Sequence, residues 1–123
     1  PENVYAAYRS QDKVILIRQG MDAPDIFRAL SQELAHAHMD RGEYNRADCA
    51  FTAYCVSYML CKRNSIAVDT FRFDRLPEAF KEMDAQGIRA ELGKIRDVAN
   101  EISRDMAPVL EQRKAPSRDD GAR

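Results

Sequence analysis

The chain has 123 residues, enough for one compact domain and too few for two. Hydrophobic residues make up 45% and charged residues 32%, a mixture that excludes a wholly disordered chain. Nineteen Lys and Arg face twenty Asp and Glu, leaving a net charge of -1, so the basic excess of a nucleic-acid binder is absent and DNA binding is unsupported by charge.

No apolar run approaches the roughly 18–20 residues that span a bilayer, and the stretch from Pro1 to Ser10 lacks the pattern of a secretory signal. A cytoplasmic chain with no membrane contact is the expectation, and a start at Pro1 without Met reads as either a trimmed chain or a piece of a longer protein. Cys49, Cys55 and Cys61 fall inside one expected helix. At roughly 100° per residue they point in three directions, so neither a disulfide network nor a metal knot follows, and buried reduced thiols are expected.

Along the chain, Val4 to Tyr8 and Lys13 to Arg18 are β-prone runs separated by Arg9-Ser10-Gln11-Asp12, and together they predict a β-hairpin ended by Gly20. The continuous run Val14-Ile15-Leu16-Ile17 reads as a strand covered on both faces. Asp22 is placed to cap a helix that tolerates Pro24 in its first turn. Ile26, Phe27, Leu30, Leu34 and Ala37 carry that helix to about Met39, where Arg41-Gly42-Glu43 breaks it.

Asn45 or Asp48 caps a second helix that is apolar nearly all round, from Phe51 through Tyr54, Cys55, Val56, Tyr58, Met59, Leu60 and Cys61. It is the expected centre of the fold, with Val56, Met59 and Leu60 inaccessible. Asn64 and Ser65 stop it, and a loop through Thr70 and Phe73 leads to a short helix from Pro77. In Phe71-Arg72-Phe73-Asp74-Arg75 the phenylalanines are expected to anchor in the core while the arginines stay in water.

A last helix starts near Asp84 or Ala85. Its apolar positions Ile88, Leu92, Ile95, Ala99, Ile102, Met106 and Val109 form a heptad-type seam, ended or kinked by Pro108. The seam packs on the domain's own helices or on a partner helix, so Ile88, Leu92, Ile95, Ile102 and Met106 are candidate oligomer contacts. From Lys114 the composition turns to that of a disordered tail.

One constellation points to chemistry. In Ser31-Gln32-Glu33-Leu34-Ala35-His36-Ala37-His38, Glu33 and His36 hold the second and last places of the zinc-peptidase pattern, in which two histidines one helical turn apart share a metal. The glutamate of that pattern takes a proton from metal-bound water. With the hairpin before this segment and Ala53-Tyr54-Cys55-Val56-Ser57-Tyr58-Met59-Leu60-Cys61 after it, the chain resembles the zincin-like metallopeptidase domains found with ArdC-type antirestriction and LtrC-like proteins of bacterial mobile elements. More distantly it resembles the ImmA/IrrE peptidases. The resemblance spans about Val4 to Phe73. It implies a first ligand at Gln32, a base at Glu33, a second ligand at His36, and a third ligand on or near Thr52.

Gln32 is a neutral amide and Thr52 a poorer ligand still, so one of three implied ligands survives, whereas a catalytic zinc needs about three. His38 sits about 200° round the helix from His36. A rebuilt site from His36, Asp40 and Asp48 is the remaining metal candidate. The expected architecture is α+β and mostly helical: a hairpin packed on three to four helices, one degenerate zincin-like domain over 1–113 and a disordered tail over 114–123. The expected function is a non-catalytic module, without a cofactor, that binds a protein partner or other domains of a larger chain. A metal-dependent peptidase around Glu33 and His36 and a nucleic-acid-binding accessory domain are the alternatives.

Overall fold

A computed structural model describes residues 5–74 and 77–122, with side chains as far as Met106. Val4, Arg75, Arg123 and the side chains of Pro108 and Val109 therefore lie outside the described residues, whereas the backbone of 114–122, expected as a disordered tail, and that of Pro108, expected to end or kink the last helix, are helical as part of its run to Ala122. The chain runs β1 (Ala6–Arg9), β2 (Val14–Ile17), α1 (Ala23–Met39), α2 (Arg46–Arg63), α3 (Glu78–Lys81) and α4 (Ala85–Ala122). It is mostly helical with one small hairpin. Among the described residues no helix is long and apolar enough to cross a membrane.

The strands pair antiparallel in the register Ala6 to Ile17, Ala7 to Leu16, Tyr8 to Ile15 and Arg9 to Val14. The turn between them closes with Lys13 at φ 58, a left-handed conformation that a side chain adopts only when its surroundings hold it. α1 begins after Asp22, whose backbone is extended but whose side chain makes no capping bond, with proline in the first turn. Gly42, at φ 101, turns the chain between the helices, and Asn45 caps α2 by accepting the amide of Asp48. At the other end Asn64 closes α2 and Ser65 takes φ 60. Asp84 accepts the amide of Gly87 at the head of α4.

α1 and α2 approach closely because small residues line their contact: Ser31, Ala35, Ala53 and Ser57 are all buried. The Ser31 and Ser57 hydroxyls lie 2.6 Å apart and each is within hydrogen-bonding distance of the Arg28 carbonyl, so one donates to its neighbour and the other to the carbonyl, and nothing polar is stranded in the seam. Ile95, Val98, Ala99 and Ile102 of α4 close the other side, forming one cluster with Ala35, Ala53, Val56 and Leu60. Beyond it Tyr54, Tyr58, Phe71 and Phe73 make a second, aromatic layer with ring centroids 5.0–6.5 Å apart.

Four further expectations need correction. β2 is not covered on both faces: Val14, Leu16 and Ile17 are exposed, because the hairpin lies at the margin of the helical layer. Met59 is only partly buried on the flank of α2, unlike Val56 and Leu60. The seam of α4 divides: Ile95 and Ile102 sit inside the chain's own core and are closed to a partner, Met106 packs partly against that core, and Ile88 and Leu92 remain exposed. Phe71 anchors as expected, but Phe73 stays 41% exposed.

Leu60 is fully enclosed, so Leu60→Ala should cost about 2–5 kcal/mol in denaturant unfolding, the range for a buried leucine. Met59→Ala should cost less. Equal losses would mean that the two positions share one environment.

Candidate functional site

Glu33 and His36 lie on the buried side of α1, 4% and 2% exposed. One turn of helix separates them, and both face the hairpin and the segment that enters α2. The Glu33 carboxylate is filled. Oε1 accepts the Tyr8 backbone amide at 2.7 Å and Arg46 Nη1 at 2.8 Å, while Oε2 accepts Arg46 Nη2 at 2.8 Å. The guanidinium thus grips both oxygens, the strongest geometry available to this pair. Burial pushes the carboxyl pKa up, but the Arg46 and Tyr8 bonds outweigh it and hold it below the ordinary 4.5. The same contact holds Arg46 above its usual value, with Glu33 the main cause.

The His36 ring shares a 2.8 Å hydrogen bond between Nδ1 and the Tyr44 hydroxyl. Tyr44 stands edge-on to both His36 and Tyr8, at 5.7 and 5.6 Å. Burial, and then the nearby Arg46 charge, lower the pKa of this imidazole below the ordinary 6.5, so it is neutral at pH 7.

Asp40, just past the end of α1, forms a second hub. Its Oδ2 accepts from Ser10 Oγ at 2.6 Å, Tyr8 Oη at 2.7 Å and Lys13 Nζ at 2.9 Å; Oδ1 takes the Gly42 amide at 3.1 Å. These bonds, Ser10 first and then Lys13 and Tyr8, hold its carboxyl far below the usual range. Asp40 ties the hairpin turn to the helix end, and Lys13 is the strained residue of that turn.

The remaining sequence candidates go elsewhere. Gln32 lines a shallow groove of about 400 Å³ with Tyr5, Asp25, Arg28, Ala29, Tyr54, Thr70 and Phe71. Thr52 donates to Glu91 of α4 at 3.1 Å. Asp48 is exposed in the first turn of α2. His38 faces α4, with Nδ1 3.2 Å from Glu101 and Nε2 3.7 Å from Asp105. Gln32, His36 and Thr52 therefore make their contacts in three separate places, as do His36, Asp40 and Asp48. Among the described residues no group of three or more His, Cys, Asp or Glu side chains is arranged to hold a metal ion. Zinc, which the resemblance implies, does not fit this donor set: Arg46 occupies the carboxylate, Tyr44 holds one nitrogen of the imidazole, and the other two positions are neutral oxygen or amide groups.

Sequence reasoning missed Arg46, Tyr44, Tyr8, Ser10 and Lys13. A signal for Arg46 existed. It opens a helix, where the positive end of the helix dipole disfavours a cation by roughly 0.3–1 kcal/mol, so a nearby carboxylate was to be expected. No family model, no curated protein and no solved structure matches the chain.

Removing one member of the Glu33–Arg46 pair should cost more than its bonds add. Arg46→Met leaves a buried carboxylate with one backbone donor and should lose about 1–3 kcal/mol. Glu33→Gln with Arg46→Met should lose less than the sum of the singles by more than about 0.5 kcal/mol; additive losses would deny the coupling.

Acid should act in two stages. His36 has a lowered folded pKa, so the unfolded chain binds its proton first, and stability falls as pH drops below the ordinary 6.5. Glu33 and Asp40, also lowered, contribute stability that is present above the ordinary 4.5 and 3.8 and lost as pH falls through their folded values. Melting temperatures from pH 8 to pH 3 should decline gently and then steeply. A flat profile below pH 4.5 would contradict both carboxylate assignments.

Proposed function

We propose that the chain is a non-catalytic, metallopeptidase-like module that serves as a scaffold or protein-interaction domain, within a larger bacterial mobile-element protein. The single observation that carries the non-catalytic reading is the Glu33 carboxylate, filled by Arg46 and the Tyr8 amide. A general base works best with a pKa near the working pH. This carboxyl is held below its ordinary value and has a cation where a metal-bound water would have to approach. The mobile-element context rests on the resemblance of the segment from Gln32 to His36 and of the order of elements around it.

Several groups support the scaffold reading by holding elements together where catalysis would need them free. Glu33 joins β1, α1 and α2; Asp40 joins the hairpin turn to α1; Ser31 and Ser57 join the two helices.

Elemental analysis of protein purified without chelators tests this reading. The expected content is well below one zinc per chain, and peptide hydrolysis should equal the blank with added zinc. One tightly held zinc per chain would overturn the proposal and return Glu33 and His36 to a metal site.

A further inference from the structure

The hairpin is docked on the helices rather than built into their core. Among the described residues, neither the apolar cluster of α1, α2 and α4 nor the partly buried side chains packed on it include a residue of β1 or β2. Of the two strands only Ala6 and Tyr8 are buried. Two carboxylates hold the hairpin by hydrogen bonds: Glu33 takes the Tyr8 amide, and Asp40 takes Ser10 Oγ, Tyr8 Oη and Lys13 Nζ. A two-stranded hairpin is marginal on its own in water, so its order depends on these docking contacts.

The two carboxylates differ in what they keep when the hairpin leaves. Glu33 loses the Tyr8 amide but retains both bonds to Arg46 of α2, and it is also faced by His36 and Tyr44, none of which belongs to the hairpin. Asp40 loses three of its four donors and keeps the Gly42 amide alone. Its side chain is 1% exposed, and the cation paired with it, Lys13, is carried by the hairpin turn. Cys49 of α2 also feels the Asp40 charge, but burial pushes that thiol up, so it stays neutral and offers no replacement. A proton and the hairpin therefore compete for one side chain. On Oδ1 a proton meets the Gly42 amide; on Oδ2 it meets three donors, among them an ammonium that cannot turn to accept. Lys13 also stands at φ 58, so loss of its contact with Asp40 lets the turn relax.

We propose that the hairpin is an acid-released clasp: a proton taken up by Asp40 frees β1 and β2 from α1 as one unit, while α1, α2 and α4 stay packed. The sign follows from the enclosure. The docked hairpin holds the Asp40 carboxyl below its ordinary 3.8, so the released form binds the proton more tightly and acid favours release. Release also withdraws Tyr8 from the edge of the Tyr44 ring, which opens to water the side of α1 that carries Glu33 and His36. The inference goes beyond the scaffold reading and does not depend on the metallopeptidase resemblance.

Amide hydrogen exchange of the full chain, read by NMR and compared with the intrinsic rate at each pH, tests the proposal. The amides of Tyr8 and Arg18 report the hairpin, through their bonds to Glu33 and to the Tyr5 carbonyl; those of Val56 and Leu60 report the helical core. Tyr8 and Arg18 should exchange through one shared opening. Below the ordinary 3.8 that opening should become about tenfold more frequent per pH unit, while Val56 and Leu60 remain protected after the hairpin amides have lost protection. Asp40→Asn keeps the size of the side chain and removes its charge. At pH 7 it should lower protection at Tyr8 and Arg18 about tenfold, leave Val56 and Leu60 nearly unchanged, and weaken the acid response. Hairpin and helical amides that lose protection together at every pH would overturn the proposal. So would an Asp40→Asn variant with wild-type hairpin protection at pH 7; should that variant not fold, the wild-type series decides alone.

Discussion

The ion pair between Glu33 and Arg46 is the constraint on which the rest of this small fold depends. A two-stranded hairpin is marginal in water and has to be docked on something. Here the dock is a carboxylate on α1 that takes the strand's outward amide with one oxygen and a guanidinium from α2 with both. Three elements meet at one group, and the position of each follows from the other two. Because the carboxylate is almost fully enclosed, its charge is tolerable only while all three donors stay in place. On the proposed reading, the same enclosure keeps Glu33 from serving as a general base. A residue that the resemblance would make a proton acceptor is committed to holding the hairpin.

Two charges stand at helix ends where the dipole opposes them, and both are answered by the same neighbourhood. Arg46 opens α2 and is met by Glu33; Asp40 closes α1 and is met by Lys13, Ser10 and Tyr8. Tyr8 contributes to both, through its amide to Glu33 and through its hydroxyl to Asp40. The hairpin is thus pinned at two points about two helical turns apart, at Glu33 on α1 and at Asp40 just past its end. A local unfavourable term at each helix end is exchanged for a long-range contact, which gives the hairpin one docking position rather than a range of them.

The elements themselves were legible in the sequence, for identifiable reasons. β-prone runs, three- and four-residue apolar spacing, Pro24 in a first turn, Asn45 at a cap and Gly42 in a turn are local signals, and the observed boundaries of α1 and α2 follow them closely. Burial was less legible. A run such as Val14 to Ile17 is equally consistent with a central strand and with an edge strand, and only the absence of a covering layer decides between them. The seam of α4 looked uniform along its length, yet α1 and α2 reach only its middle, so Ile95 is enclosed while Leu92 is not. At the candidate site the motif residues were visible, but their partners were not. Arg46 is thirteen residues from Glu33 and Tyr8 twenty-five, and no spacing rule connects them.

The asymmetry of the hairpin follows from the same ion pair. For Glu33 to reach the Tyr8 amide, α1 must run beneath the sheet toward the outer edge of β1. The carboxylate that closes that edge draws the helical layer toward it and away from β2. β2 therefore keeps outward backbone groups that no described residue bonds and exposed Leu16 and Ile17, while β1 buries Ala6 and Tyr8. The apolar run in β2 is not a misplaced core strand. It is what remains uncovered when a hairpin of this size is fixed to a helix by one edge.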